Sequence, residues 1–451
     1  MKQEKRFYQT VLKIALPVTL QSMLQSSFSV VDQIMTGQLG SVSIAGIGLG
    51  GRFSSLFSVL VSAIAAVAGI MIAQYMGKED EQEISRSFFV NLFLALGLAC
   101  LFTILCMMFP WKIMGLYTED ERTRRAAAEY LRVLALSCFP MAAGTLLSTL
   151  LRCMEAAVIP LYAGMLAAVV NTGLNYVLIF GKLGFPKMGV RGAAFATVIS
   201  QMVSCLLILM LFFHHYRRSE WKLRLVFRMD RKERLQYIAM LMPVLTCEFF
   251  WSLGENVYTA IYGRMGTEAC AAMTLTIPIQ VLMIGALSGV SQAAGIIIGK
   301  TLGSGAHDRA YEESKKLMWY GFWGSLALSL VLLLTEYFYV KIYQVEEPVK
   351  MAARQVLTAF ALIAPVKVQN MILGGGIIRS GGKTNYVMWI DLVGTWLFGV
   401  PLGLISAFLW RLTIPYVYFI LSLEECVRLG ISLLLFRKKG WMVSLKGQKE
   451  L

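Results

Sequence analysis

Asp32 stands inside the apolar run Phe28-Ser-Val-Val-Asp-Gln33. A carboxylate in such a place can hold a proton or coordinate a sodium ion if amides and hydroxyls converge on it. The chain offers Gln21 and Gln25, Asn171 and Asn175, and Thr197 and Gln201. Asn171 and Asn175 lie four apart, so a helix presents both on one face. The same aspartate can also serve as a hydrogen-bonded tie between helices.

The second half is richer in charge. Glu248 and Glu255 are seven apart, nearly on one helix face, while Lys367, Asp391 and Glu424 each fall within other apolar runs. Counting from the ends of those runs puts Glu248, Lys367, Asp391 and Glu424 at comparable depth. A lysine among carboxylates avoids unpaired buried charge, and titrating one member redistributes the pairing, as a proton relay requires. Arg379, at the end of its run, reads as an anchor or gate contact on the cytoplasmic side. Catalysis finds no footing: His214, His215 and His307 lie in loops, and neither HExxH nor a nucleophile elbow occurs. Gly46, Gly48, Gly50 and Gly51 follow no strand, which argues against a phosphate loop.

The elements that must hold these groups follow from composition. The 451 residues are 57% apolar and 15% charged, too few charges to cover a soluble protein of this size. A polytopic all-α membrane protein is expected. Apolar runs long enough to span lipid fall near 11–35, 47–76, 87–109, 129–151, 160–181 and 191–213, then near 237–262, 270–303, 317–340, 351–378, 384–408 and 412–436. That gives about twelve helices. The stretch from Pro17 to Gly77 realigns without a gap on Pro243 to Gly303, with Gly37, Gly40 and Gly77 on Gly263, Gly266 and Gly303. The chain is a duplication of six helices, and an even number gives both copies one orientation, with a pseudo-twofold along the membrane normal. The domains expected are a first lobe over 1–213, a linker over 214–236 and a second lobe over 237–451.

The net charge of +15 collects in alternate loops and not on a nucleic-acid-binding face. Residues 214–236 carry Arg217, Arg218, Lys222, Arg224, Arg228, Arg231, Lys232 and Arg234, and the tail carries Arg437, Lys438, Lys439, Lys446 and Lys449. By the positive-inside rule both segments and the N-terminus are cytoplasmic. The eight cysteines lie mostly in apolar runs without paired spacing and read as buried small hydrophobes.

Leu16-Pro17, Val31-Asp32-Gln33-Ile34-Met35-Thr36-Gly37-Gln38-Leu39-Gly40, Asn171-Thr-Gly-Leu-Asn-Tyr-Val-Leu-Ile-Phe-Gly181, Gly189-Val-Arg-Gly-Ala-Ala194, Glu248-Phe-Phe-Trp-Ser-Leu-Gly254 and Ile377-Ile-Arg-Ser-Gly-Gly382 occur in this order. Together they resemble the multidrug and toxic compound extrusion (MATE) family over nearly the whole chain. The resemblance implies two lobes with a cleft that opens alternately to each side, and an antiporter that exports cationic or amphipathic compounds against a proton or sodium gradient. Asp32 matches the family's cation-linked aspartate, Asn171 matches a polar partner of it, and Arg152 opens the loop that usually reads Arg-x-x-Gly-Asp. Asn175 stands where one branch has a second aspartate, and Trp251 where another has a glutamate.

The expected assignment is therefore a coupling site at Asp32, Asn171, Asn175 and Thr197. A charged network at Glu248, Glu255, Lys367, Asp391 and Glu424 accompanies it, with gate or anchor residues at Arg152 and Arg379. No cofactor, resident metal or nucleic acid is expected, only a proton or a transient sodium ion, the lipid bilayer and small cationic or amphipathic substrates. A monomer in a bacterial plasma membrane fits these features. The alternatives are a flippase of a lipid-linked saccharide, with Arg52, Lys300 and Lys367 as its only candidate cations, and an embedded enzyme or scaffold.

Overall fold

The computed structural model describes residues 2–216, 223–226, 229–343 and 345–445. Arg217, Arg218, Lys222, Arg228, Lys446 and Lys449, part of the basic loop and tail, lie outside the described residues. Among the described residues, eleven helices are long and apolar enough to cross a membrane, and the chain is a multi-pass membrane protein. In order they are α1 (Lys2–Thr36), α2 (Ser41–Gly77), α3 (Glu81–Met108), α4 (Glu121–Cys153), α5 (Val158–Phe180), α6 (Gly189–Tyr216), α7 (Arg231–Arg264), α8 (Thr267–Gly303), α9 (His307–Lys341), α10 (Glu347–Ile378) and α11 (Thr384–Leu409). The expected twelfth is divided at Leu423 into α12 (Ile414–Ser422) and α13 (Glu424–Arg437), each too short to qualify alone. Rows of exposed apolar side chains, such as Leu330, Leu334 and Phe338 on α9 and Leu206, Met210 and Phe213 on α6, form a surface that suits lipid.

Helix starts are written in the sequence. Asp80 caps α3 by accepting from the Glu83 amide at 3.1 Å, and Asp120 caps α4 by accepting from the Thr123 amide at 2.9 Å. Asp230 and Glu233 form a reciprocal capping box on α7. Within α4 the helix tightens to a 3-10 turn at Ala135–Ser137, just before Pro140, which has no N–H to donate. The Thr103 hydroxyl of α3 donates to the Ala135 carbonyl there, at 3.0 Å, so the break leaves that acceptor satisfied inside lipid.

The chain packs as two compact units, Met23–Ile72 with Asp80–Arg228, and Met1–Ser22 with Ala73–Glu79 and Met229–Leu451. The expected division at the 214–236 linker thus differs from the packing at two places, the first part of α1 and the last turn of α2. Contacts within the second of these units explain both. Thr19 donates to the Ala286 carbonyl at 3.1 Å, Ser22 pairs with Ser288 at 3.0 Å, and Gly289 leaves no room for a Cβ against the Ala15 carbonyl.

At the end of α2 the closeness is reciprocal. A Cβ on Gly77 would overlap the Lys300 carbonyl, and a Cβ on Gly303 would overlap the Gln74 carbonyl. Gln74 and Lys300, like Gly77 and Gly303, are 226 residues apart. The two helices therefore cross on the same residues of each copy, backbone against backbone, as rows of small residues permit in lipid. The C-terminal segment fastens this crossing. Gln74 donates to the Ser380 and Val443 carbonyls at 2.6 and 3.2 Å and accepts from the Leu445 amide at 2.7 Å. Trp441 is fully buried against Phe436, with ring centroids 5.6 Å apart.

Gly303→Ala should lower the apparent Tm of the detergent-solubilised protein, because a carbonyl cannot yield as a side chain does; overpacking costs about 1–3 kcal/mol or more. Gly263→Ala, a helical glycine with nothing within 4 Å of its would-be Cβ, should leave Tm unchanged or slightly raised. Thermal unfolding of the two variants side by side checks the difference.

Candidate functional site

In the unit that holds α3 to α6, α5 and α6 pack along their length, with the Leu178 carbonyl against Gly192. The four-residue spacing on α5 points Asn171 and Asn175 the same way, and α6 brings Thr197 opposite. Asn175 is completely buried; its Nδ2 donates to Asp32 Oδ1 at 2.5 Å and to Asn171 Oδ1 at 3.1 Å. Asn171 in turn donates to Thr197 at 3.5 Å, and Thr197 donates to the Ala193 carbonyl at 3.1 Å. The structure therefore places Asp32, Asn171, Asn175 and Thr197 in one hydrogen-bonded ladder that ends on the carboxylate. Among the described residues no lysine or arginine forms an ion pair with Asp32. Of the other amides the sequence offers, Gln25 is exposed and Gln201 is half-buried on α6.

A second feature of this site concerns an acceptor. Asn175 Oδ1 is buried without a hydrogen-bond partner. An orphaned buried carbonyl oxygen costs about 1–3 kcal/mol, and this one belongs to the amide that touches Asp32. Tyr130 of α4, buried in the cluster of Leu134, Ile179, Ala193 and Ala194, lies within electrostatic range of Asp32. Its position in a polar, arginine-rich stretch gave no sign of this.

The charged groups of the other unit assemble differently from the expectation. Lys367 is the cation expected among the carboxylates; the cation that three of them share is Arg428 on α13. Its guanidinium lies 3.4 Å from Glu424, 3.7 Å from Asp391 and 3.8 Å from Glu425, and it donates to the Thr395 hydroxyl. Glu424 and Glu425 precede Arg428 by four and three residues, so the arginine folds back over its own helix onto both. Lys367 reaches Glu425 alone, at 3.7 Å. Glu425 also accepts from Asn370 at 2.8 Å, and Glu424 accepts from the Tyr258 hydroxyl at 2.5 Å.

Glu248 joins through a different partner, Arg379, at 3.6 Å. Arg379, expected as an end-of-helix anchor, turns inward and lines a cavity of about 290 Å³ together with Glu248, Trp251, Lys367, Asp391 and Arg428. Among the described residues Glu255 forms no ion pair. Seven residues carry it roughly 10 Å further along α7, where it is exposed and lines a separate cavity of about 160 Å³. Arg152 is half-buried at the C-terminal end of α4. Cys247 donates to Asp391 at 2.9 Å; it is one of eight free cysteines, five of them buried.

With this geometry in view, comparison with known proteins decides the family. The family model described as MatE matches residues 17–177 and again 243–405, the two matches starting at the 226-residue shift that relates the two halves. The chain belongs to the MatE family. A Bacillus subtilis relative named "Uncharacterized transporter YisQ" is 20% identical, with 96% of this chain and 95% of that one covered. A Photorhabdus laumondii relative named "Probable multidrug resistance protein NorM" is 25% identical over 88% of this chain and 87% of its own. A solved outward-facing multidrug resistance MATE family transporter superposes with a TM-score of 0.87 at 19% identity, covering 95% of each chain. This MatE chain is accordingly a membrane transporter, with the helical fold of those structures.

Removing Arg428 from this MatE protein leaves three carboxylates without their shared cation. Breaking a buried ion pair by deleting one partner costs about 3–5 kcal/mol. Arg428→Met should therefore unfold at a much lower temperature than the parent, and Arg428→Lys should fall between them. Size-exclusion profiles after a temperature series measure the order.

Proposed function

We propose that this transporter is an antiporter that exports cationic or amphipathic small molecules in exchange for an inward-moving proton or sodium ion. The observation that carries the reading is the Asp32 site: a half-buried carboxylate held by an uncharged ladder and not neutralised by any described cation. A free negative charge within a span costs about 2.5–3.5 kcal/mol even at the low end of measured scales. A site of that kind gains by taking up a small cation.

The orphaned Asn175 Oδ1 favours the proton. A protonated Asp32 gains an O–H donor, and Asn175 holds an unused acceptor on the amide beside it. The amide can thus serve the carboxylate through Nδ2 and the carboxylic acid through Oδ1. Loading of Asp32 from outside favours the conformation that discharges the compound, and release inside resets it, because an ion shifts an equilibrium only by its differential affinity for the two states. The names of the multidrug resistance relatives support efflux of varied compounds. The basic N-terminus and tail support a plasma-membrane transporter with both ends cytoplasmic. The flippase alternative is not favoured; of its three candidate cations, Lys367 is already engaged by Glu425.

The test uses purified protein in liposomes with a fluorescent cationic dye, under a pH gradient alone and a sodium gradient alone. The expected outcome is dye movement against its gradient under the pH gradient, reduced at least about tenfold by Asp32→Asn. Undiminished, gradient-dependent transport in Asp32→Asn would overturn the assignment.

A further inference from the structure

Tyr258 lies 226 residues after Asp32, so the duplication puts the two at one point of α1 and α7. Where the first copy has a carboxylate, the second has a buried phenol whose hydroxyl touches the carboxylate of another helix, Glu424. The backbone around this contact is shaped to it. A Cβ on Gly399 would overlap both the Tyr258 hydroxyl and the Glu424 carboxylate. A Cβ on Gly394 would overlap the Arg428 side chain, and one on Gly254 would overlap Thr395, the residue that accepts from Arg428. Three glycines on α7 and α11 make room for these few polar side chains, and no smaller residue exists.

The charges in this space do not balance. Asp391, Glu424 and Glu425 face Arg428 and Lys367, three carboxylates against two cations. Glu248 and Arg379 cancel each other at the edge, and Glu255 adds a further negative charge from the adjoining cavity. Full ionisation leaves a surplus negative charge in a region that lipid surrounds, so one carboxylate has cause to be a carboxylic acid. Glu425 is the best compensated, with both cations and the Asn370 amide on it. Asp391 keeps a quarter of its side chain exposed. Glu424 is 7% exposed and has one cation and one hydroxyl.

We infer that Glu424 is a second proton-binding site of the transport cycle, with Tyr258 as its positioning hydroxyl. The inference rests on the antiport reading above and adds a proton to it. When Glu424 is ionised, the Tyr258 hydroxyl donates to it; when Glu424 is protonated, the acid O–H donates to the tyrosine oxygen. In the second case the proton resides on one carboxyl oxygen, and it leaves as it came, with no other covalent bond changed. Protonation also frees Arg428 from one of its three carboxylates and leaves it to Asp391 and Glu425. A metal cation does not fit: the Arg428 guanidinium stands 3.4 Å from Glu424 Oε1, and Lys367 is close by on Glu425.

The surroundings supply access. Lys367 and Glu425 line both the 290 Å³ cavity, on the Glu248 side, and the 160 Å³ cavity, on the Glu255 side. They form the partition between the two, and Glu424 faces the second. The other titratable groups there are Glu255, Tyr258 and Tyr262 from α7, Cys270 from α8 and Tyr418 from α12. Each lines the cavity that Glu424 faces.

The test counts protons and does not require transport. Purified full-length protein in detergent is shifted from alkaline to mildly acidic buffer, and uptake is read with a pH-indicator dye. Glu424→Gln should take up one proton per chain fewer than the parent, Asp32→Asn one fewer, and the double variant two fewer. Uptake by Glu424→Gln equal to the parent overturns the proposal whatever Asp32→Asn shows. Uptake by Asp32→Asn equal to the parent counts against the earlier reading alone. If Glu424→Gln does not fold, the infrared pH-difference spectrum of the parent and of Tyr258→Phe decides. A protonated-carboxyl band that survives Asp32→Asn and shifts in Tyr258→Phe supports the site. A spectrum that Tyr258→Phe leaves unchanged overturns it.

Discussion

Hydrocarbon offers neither hydrogen bonds nor counter-charge, so every ionised group in these spans must be answered by another part of the chain. The two units meet that demand in different ways. Asp32 is answered by neutral dipoles: the Asn175 amide donates to it, and Asn171 and Thr197 hold that amide in a ladder without formal charge. The carboxylates of the other unit are answered by formal charge, gathered on Arg428. Dipoles leave the site with a net charge that can be cancelled by a small ion. Ion pairs leave it near neutrality, with the balance turning on one proton.

The duplication explains why these solutions could diverge while the frame did not. Gly40 and Gly266 both take positive φ at the start of α2 and α8, and Glu79 and Gly305 both take it just beyond their ends. Gly77 and Gly303 each lie on the other helix's carbonyl. The turn positions are fixed by backbone conformation, and Gly77 and Gly303 by contact at atomic distance, where a side chain larger than hydrogen has no place. Asp32 and Tyr258 carry no such backbone constraint. What they must satisfy is local polarity, which other helices can supply in more than one way.

Much of this was legible in the residues, and the reasons for success and failure are physical. The spans follow from hydropathy, which needs only windows of about 20 residues. The break of the last span at Leu423 did not, because Glu424 and Glu425 looked like charges within a helix and are the first residues of a new one. The ladder on α5 was legible because i and i+4 share a face. Tyr130 was not, since a phenol near an aspartate depends on how α4 meets α1. Lys367 and Arg428 both fall within apolar runs, 351–378 and 412–436, so the sequence offers the carboxylates two cations. Which cation the carboxylates share is a matter of tertiary approach. The π-helical turns at Met371–Ile378 and Val393–Gly399, which flank Asn370 and carry Thr395, have no simple sequence signature either.

A transport cycle asks more of such sites than satisfaction in one state. A coupling carboxylate must be tolerable in the spans both loaded and empty, or one half of the cycle becomes inaccessible. A lysine or arginine partner meets only the ionised state, because it has donors and no acceptor. The groups nearest the two carboxylates are of another kind. Asn175 carries a donor already on Asp32 and an acceptor still unused, and the Tyr258 hydroxyl can donate to Glu424 or accept from it. In both units the residue that touches the carboxylate is one whose hydrogen bond can reverse. That property separates a carboxylate able to cycle from Glu425, which two cations and an amide donor hold in its ionised form.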